Sequence, residues 1–139
     1  VTMPDGANET WYLAPITEIP GVRHALLMTL DGMVQARSEN LSADDADGVA
    51  AMTSALHAAS RAAVIPALGA AADTPIETVT VKVAEGTYMV MPAGANTLIA
   101  AAGDDSMHMG VVVHMMARQA KKLGEQHMSV SARSHDGAS

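Results

Sequence analysis

Apolar positions recur along the chain with a period that changes from segment to segment, and each change marks an element. "TWYLAPITEI" carries Leu13, Ile16 and Ile19 at helical spacing and predicts a short helix, interrupted by Pro15 and ended by the Pro-Gly pair at 20–21. Two β-type apolar runs then flank Asp31-Gly32, the dipeptide a tight hairpin prefers, and predict strands at 22–30 and 33–38. Next, Ser42 and Asp45 stand at the spacing of a capping-box variant, and Asp44, Asp45 and Asp47 sit where a helix dipole favours anions. A helix over 43–65 is expected, ended near Pro66 and Gly69.

That helix has two stripes. Val49, Met52, Leu56, Ala59 and Ala63 form an apolar one, and Gly48, Ala51, Ala55, Ala58 and Ala62 form one almost without side-chain bulk. Small residues let helices approach closely, so the second stripe predicts contact with another element, such as the same helix of a second subunit; high helix propensity alone accounts for the alanines equally well. Downstream, "IETVTVKV" alternates, with Val79, Val81 and Val83 on one face and Thr78, Thr80 and Lys82 on the other, as a half-exposed edge strand would. Strands at 87–91 and 97–102 follow. Like Leu26, Leu27 and Met28 they are apolar on both faces, which implies a sheet covered on both sides.

The last segment, "DDSMHMGVVVHMMARQAKKLG", packs four methionines and two histidines into ten positions. Chelation from a helix needs ligands three or four residues apart, and no pair between the two Met/His clusters has that spacing. Pairs seven apart share a face but stand ~10.5 Å apart along the axis. Met109, Val113, Met116, Ala120 and Leu123 instead fit a core stripe, with Gly124 as the terminator. No metal site is therefore expected; copper(I) held by residues 107–109 in a loop is the alternative.

Composition narrows the function. The chain has 139 residues, 49% of them hydrophobic, enough for one domain, placed at 10–124 between polar, aperiodic tails at 1–9 and 125–139. Fifteen acidic against eight basic residues give a net charge of -7, which with few aromatics argues against nucleic acid. No apolar run reaches the ~18 residues of a membrane span, so a cytoplasmic protein is expected, without direct membrane insertion. Cysteine is absent, which removes thiolate chemistry, and with no phenylalanine the methionines have a packing role ready. His24, His57, His108 and His114 lack the partners of a catalytic constellation. A strand His24 reads as a hydrogen-bonded core histidine, and His57, one turn before Arg61, as solvated or at an interface. No enzyme activity and no cofactor are expected.

Taken in order, the elements read α-β-β-α-β-β-β-α. With that order, "PGVRHALLMTLDGMVQARS", "SADDADGVAAMTSALHAASRA" and "GTYMVMPAGANTLIAAA" resemble the Roadblock/LC7 family, most closely the Roadblock proteins of actinomycete conservon operons, over residues 11–124. The resemblance implies an α+β, profilin-like, three-layer domain: a five-stranded antiparallel sheet with the long helix on one face and the terminal helices on the other. It also implies a homodimer in which the long helices pack antiparallel and the third strands adjoin. The implied interface comprises Gly48, Ala51, Met52, Ala55, Ala58, Ala59 and Ala62 with Thr78, Thr80 and Lys82. In the family a small Ras-like GTPase docks on the long-helix surface, which carries over to Asp44, Asp47, Ser54, His57 and Arg61 as an exposed partner face. A sensor-kinase-like partner and recruitment to the inner face of the membrane by partners are further implications. The alternative is a small-ligand sensor with a methionine-rich apolar pocket.

Overall fold

In the computed structural model the backbone of residues 11–138 and the side chains of residues 11–125 are described; the expected tail at 1–9 lies outside the described residues. The chain reverses at Asp31-Gly32 as anticipated, joining β1 (Val22–Thr29) to β2 (Val34–Arg37). The Thr29 amide donates to the Met33 carbonyl at 2.9 Å and the Gly32 amide to the Thr29 carbonyl at 3.0 Å. Gly32 has φ +92°, a left-handed conformation that costs a side-chain-bearing residue ~1–2 kcal/mol. β3 (Val79–Val83), β4 (Gly86–Pro92) and β5 (Thr97–Asp104) complete one antiparallel sheet in the order β2-β1-β5-β4-β3. As its threonines and lysine suggested, β3 is an edge strand.

Strand alternation divides the core into two. Ala25, Leu27, Met89, Ile99 and Ala101 point to one face, where α1 (Ala14–Thr17) and α3 (Met109–Ala138) cover them with Leu13, Ile16, Val112, Met116 and Leu123. Leu26, Met28, Val90, Leu98 and Ala100 point to the other, beneath Ala46 and Ala50 of α2 (Ala43–Leu68). Both faces of β1, β4 and β5 thus carry core residues, and the expected element order is the observed one.

α2 begins where the sequence placed it: the Ser42 hydroxyl accepts the Asp45 amide at 3.1 Å, and Asp44 and Asp45 occupy the first turn. Its end differs. Pro66 lies inside the last turn, and the helix closes on left-handed Gly69, with the Ala70 amide donating to Ile65 O at 2.9 Å and the Gly69 amide to Pro66 O at 3.3 Å. A proline this near the carboxyl end forfeits one amide without stopping the helix before the glycine does.

α3 differs more. The expected tail from residue 125 is helical in backbone as far as Ala138, since Gly124 does not adopt the left-handed conformation that would end the helix and no proline follows. Gly124 instead lies inside α3 beside the β4–β5 turn, where a β-carbon would make ordinary contact with the Gly94 α-carbon at 3.8 Å. The buried line runs through Val112, Met116, Gln119, Ala120 and Leu123, with Met109 and Val113 only packed against its flank. Gln119 explains the rotation, because its amide is 2% exposed and donates to the Tyr12 carbonyl at 2.8 Å. The methionines are mostly core: Met116 is wholly buried, and Met107 lies so close over Gly103 that a β-carbon there would collide with its sulfur. His108 and His114 are exposed.

The inner line of α2 is Ala46, Ala50 and Thr53, continued by half-buried His57 and Arg61 at the same spacing of three or four. Ser54, beside it, donates its hydroxyl to the Leu30 carbonyl of the hairpin turn. Arg61 donates to the carbonyls of Thr74 and Ala72, both at 2.7 Å, and so fastens the connector that leads from α2 to β3. His57 is held below the ordinary histidine value, first by burial and second by the neighbouring Arg61 charge.

Two outcomes are expected from this packing. Gly32→Ala places a β-carbon 3.1 Å from the Ala51 α-carbon at a positive φ, and urea denaturation should show a loss of about 1–2 kcal/mol. For His57 the folded protein binds its proton less readily than the unfolded chain, so this contribution is complete above the unfolded value of 6.5 and is lost as pH falls through the lower folded value. Denaturation midpoints of the wild type should therefore fall relative to those of His57→Gln between pH 7.5 and pH 5.

Candidate functional site

Having small residues on its inner line, α2 settles onto β1 and β2 and leaves the β4–β3 half of that sheet face without a helix. In the sequence Val49, Met52, Leu56, Ala59 and Ala63 form one apolar stripe. In the structure that stripe is turned sideways, and its amino-terminal half overhangs a cleft of about 760 Å³ floored by Leu26, Ala100, Ala102 and Tyr88. Met52 is 68% exposed. The pairing of Val79 with Val90 and Val81 with Tyr88 puts the β3 valines on this same face, where Val81 and Val83 are also exposed. The result is an apolar surface that begins on the flank of α2, crosses the cleft and ends at a sheet edge, more than solvent ordinarily meets on a lone domain.

Polar groups in the cleft are few and placed. The Tyr88 hydroxyl lies 2.6 Å from that of Thr53 and ties β4 to α2 across the floor. Burial raises the Tyr88 hydroxyl above the usual tyrosine value, with the Thr53 hydrogen bond acting in the opposite direction. At the mouth stand Asp44, Asp45 and His24. His24 is half-buried rather than in the core, and its Nδ1 is 3.0 Å from Asn40 Oδ1; it is hydrogen-bonded as expected, but at the rim, because β1 reaches past the helix that would have covered it. Among the described residues no three His, Cys, Asp or Glu side chains gather as a metal site would require.

Of the side chains expected on an exposed partner face, Asp44 and Asp47 are exposed, whereas Ser54, His57 and Arg61 turn toward the body of the domain. The correction has a physical cause: the acceptors of Ser54 and Arg61 are backbone carbonyls outside α2, in the hairpin turn and in the connector that follows the helix. The residues assigned to a dimer contact, Gly48, Ala51, Met52, Ala55, Ala58, Ala59 and Ala62 on α2 and Thr78, Thr80 and Lys82 on β3, are all exposed. Sequence reasoning missed Val49, Leu56, Tyr88, Val81 and Val83 as parts of one surface. Their signal was present as helical and alternating periodicity, but neither pattern shows from the sequence that the two elements border one cleft.

This arrangement has known counterparts. A Roadblock/LC7 domain from Streptomyces avermitilis superimposes with a TM-score of 0.76 at 26% identity, covering 86% of this chain and 97% of that one. The gliding protein MglB from Thermus thermophilus gives 0.75 at 22% identity, covering 90% and 92%. Profilin II of Acanthamoeba castellanii gives 0.56 at 16%, covering 84% and 98%, a likeness of fold alone. No curated protein matches the chain. The family model of the Roadblock/LC7 domain matches residues 12–102, from the residue before Leu13 through the end of the cleft floor, and the chain belongs to the Roadblock/LC7 family.

Proposed function

We propose that the protein is a non-catalytic, homodimeric regulator that binds a small Ras-like GTPase and, through the same assembly, a sensor-kinase-like partner. The observation that carries this reading is the apolar half-face beside α2, bounded by the free edge of β3. A second copy meets both needs at once. Its α2, laid antiparallel in the cleft, covers Val49, Met52 and the β3 valines, and its β3 continues the sheet. Gly48, Ala55 and Ala59 then permit close approach of the two helices. Ala51, Ala58 and Ala62, which the resemblance assigned to the dimer contact, lie in this arrangement with Asp44 and Asp47 on the outer surface of the helix pair, and that surface is the one we propose for the GTPase.

The absence of an arginine finger among the α2 side chains agrees with a regulator that acts by shaping its partner. Arg61, the one arginine of that helix, spends its guanidinium on two backbone carbonyls of its own chain. A second reading, a small-ligand sensor, draws on the same cleft, whose volume lies within the range of ligand sites. Native mass spectrometry separates the two, because the sensor requires a co-purifying small molecule and the regulator a doubled protein mass.

Met52→Lys should convert the dimer to monomer by light scattering while leaving the fold intact by circular dichroism; a persistent dimer overturns the proposed interface. Calorimetric titration with a Ras-like GTPase encoded beside it, loaded first with GDP and then with a non-hydrolysable GTP analogue, should give saturable binding to at least one form. Binding to neither rejects the GTPase reading.

A further inference from the structure

Seven of the chain's eight basic residues have described side chains, and they divide by use. Arg37 donates to the Leu41 carbonyl, Arg61 is committed to the connector, and Arg23 stands beside Asp104. Arg118, Lys121 and Lys122 of α3, and Lys82 of β3, have neither an ion pair nor a hydrogen bond among the described residues, and all four are exposed. They also lie on one side of the sheet. α3 covers the face that holds Met89, and the pairing of Thr80 with Met89 places the Thr80 and Lys82 side chains on that face. Along α3 from Met109 to Glu125 the single acid is Glu125, and exposed Val111 lies on the same outer surface as Arg118 and Lys122.

Of the acids in that layer, Glu125 lies one turn from Lys121 and Lys122, while Glu18 and Asp105 stand at the end of α1 and ahead of α3. Asp44, Asp45 and Asp47 are exposed at the start of α2, in the opposite layer. Helix axes on the two faces of a sheet are separated by about 20 Å, twice the ~10 Å screening length of 0.1 M salt. A surface approaching the outer face of α3 therefore meets Arg118, Lys121 and Lys122 with the one acid Glu125, while the aspartate cluster of α2 is largely screened from it.

We infer that the outer face of α3, with Arg118, Lys121 and Lys122, is a docking surface for an anionic lipid bilayer, which it meets peripherally and without insertion. A bilayer suits the geometry better than a nucleic acid. The cations follow one helix lying flat along the sheet, with a valine among them and no aromatic side chain on the described part of that helix to stack on a base. In the proposed dimer both α3 helices lie on the same side of the continuous sheet, which doubles the number of cations presented; that doubling, though not the face itself, rests on the reading above. Each lysine near an anionic surface contributes roughly a five-fold gain in partition.

The test is cosedimentation of the full chain with vesicles of phosphatidylglycerol and phosphatidylcholine, and with phosphatidylcholine alone. Binding to the anionic vesicles only, abolished in 0.5 M salt and weakened at least ten-fold by Lys121→Ala/Lys122→Ala, is the expected result. Ala71→Glu/Ala72→Glu in the connector makes the same change in net charge and should retain binding. Equal loss in both variants would assign the effect to net charge and overturn the inference, as would equal binding to neutral vesicles. Failure to sediment with either vesicle, combined with salt-sensitive retention on immobilised polyglutamate, would overturn it in favour of an acidic protein partner. Light scattering of the lysine variant reports the dimer separately, so loss of membrane binding and loss of the interface are distinguishable.

Discussion

The close seating of α2 on β1 and β2 is the constraint from which the other features follow. Ala46 and Ala50 bring little bulk to the contact, and Gly32 lets the hairpin turn rise against Ala51 and Ser54. A helix held this near one half of the sheet cannot also roof the other half. Its bulkier apolar residues, Val49, Met52 and Leu56, are left overhanging a cleft instead of filling it. Had the inner line carried leucines, the helix would stand higher and more centrally, and the β4–β3 half of the face would have less need of a second covering element.

The opposite layer solves its packing differently. Methionine takes the place of phenylalanine beneath α1 and α3, where Met89, Met91, Met107 and Met116 fill irregular volume between short helices and strands. Two methionines of the Met/His-rich segment, Met107 and Met116, thus have packing roles in a core built without phenylalanine. The buried Gln119 amide, donating to the Tyr12 carbonyl, then fixes the roll of α3 against the start of α1.

Much of the fold was legible because local chemistry dictated it. Asp31-Gly32, the Ser42 cap, the alternation over Val79–Val83 and the two-faced apolar strands all express short-range rules, and each element appeared where those rules placed it. Rotation about a helix axis was less legible. Both α2 and α3 bury a line displaced from the most apolar stripe in their sequence, because hydrophobic periodicity shows that a stripe will be covered without showing by what. On α2 the covering element is proposed to be another chain, so the richest stripe lies outside the domain's own core. Ser54 and Arg61 were read as a partner face for a related reason, since a polar side chain that satisfies a distant backbone carbonyl looks the same in sequence as one that meets water.

Arg61 has one more consequence. By gripping the carbonyls of Ala72 and Thr74 it fixes the connector shortly before β3 begins, so the edge strand is delivered to the sheet at a set height and angle. A strand edge that is already rigid gives up little conformational freedom when it is joined. Association through it becomes the meeting of two finished surfaces, and its strength is governed by how well their shapes agree rather than by the entropy of ordering a loose segment.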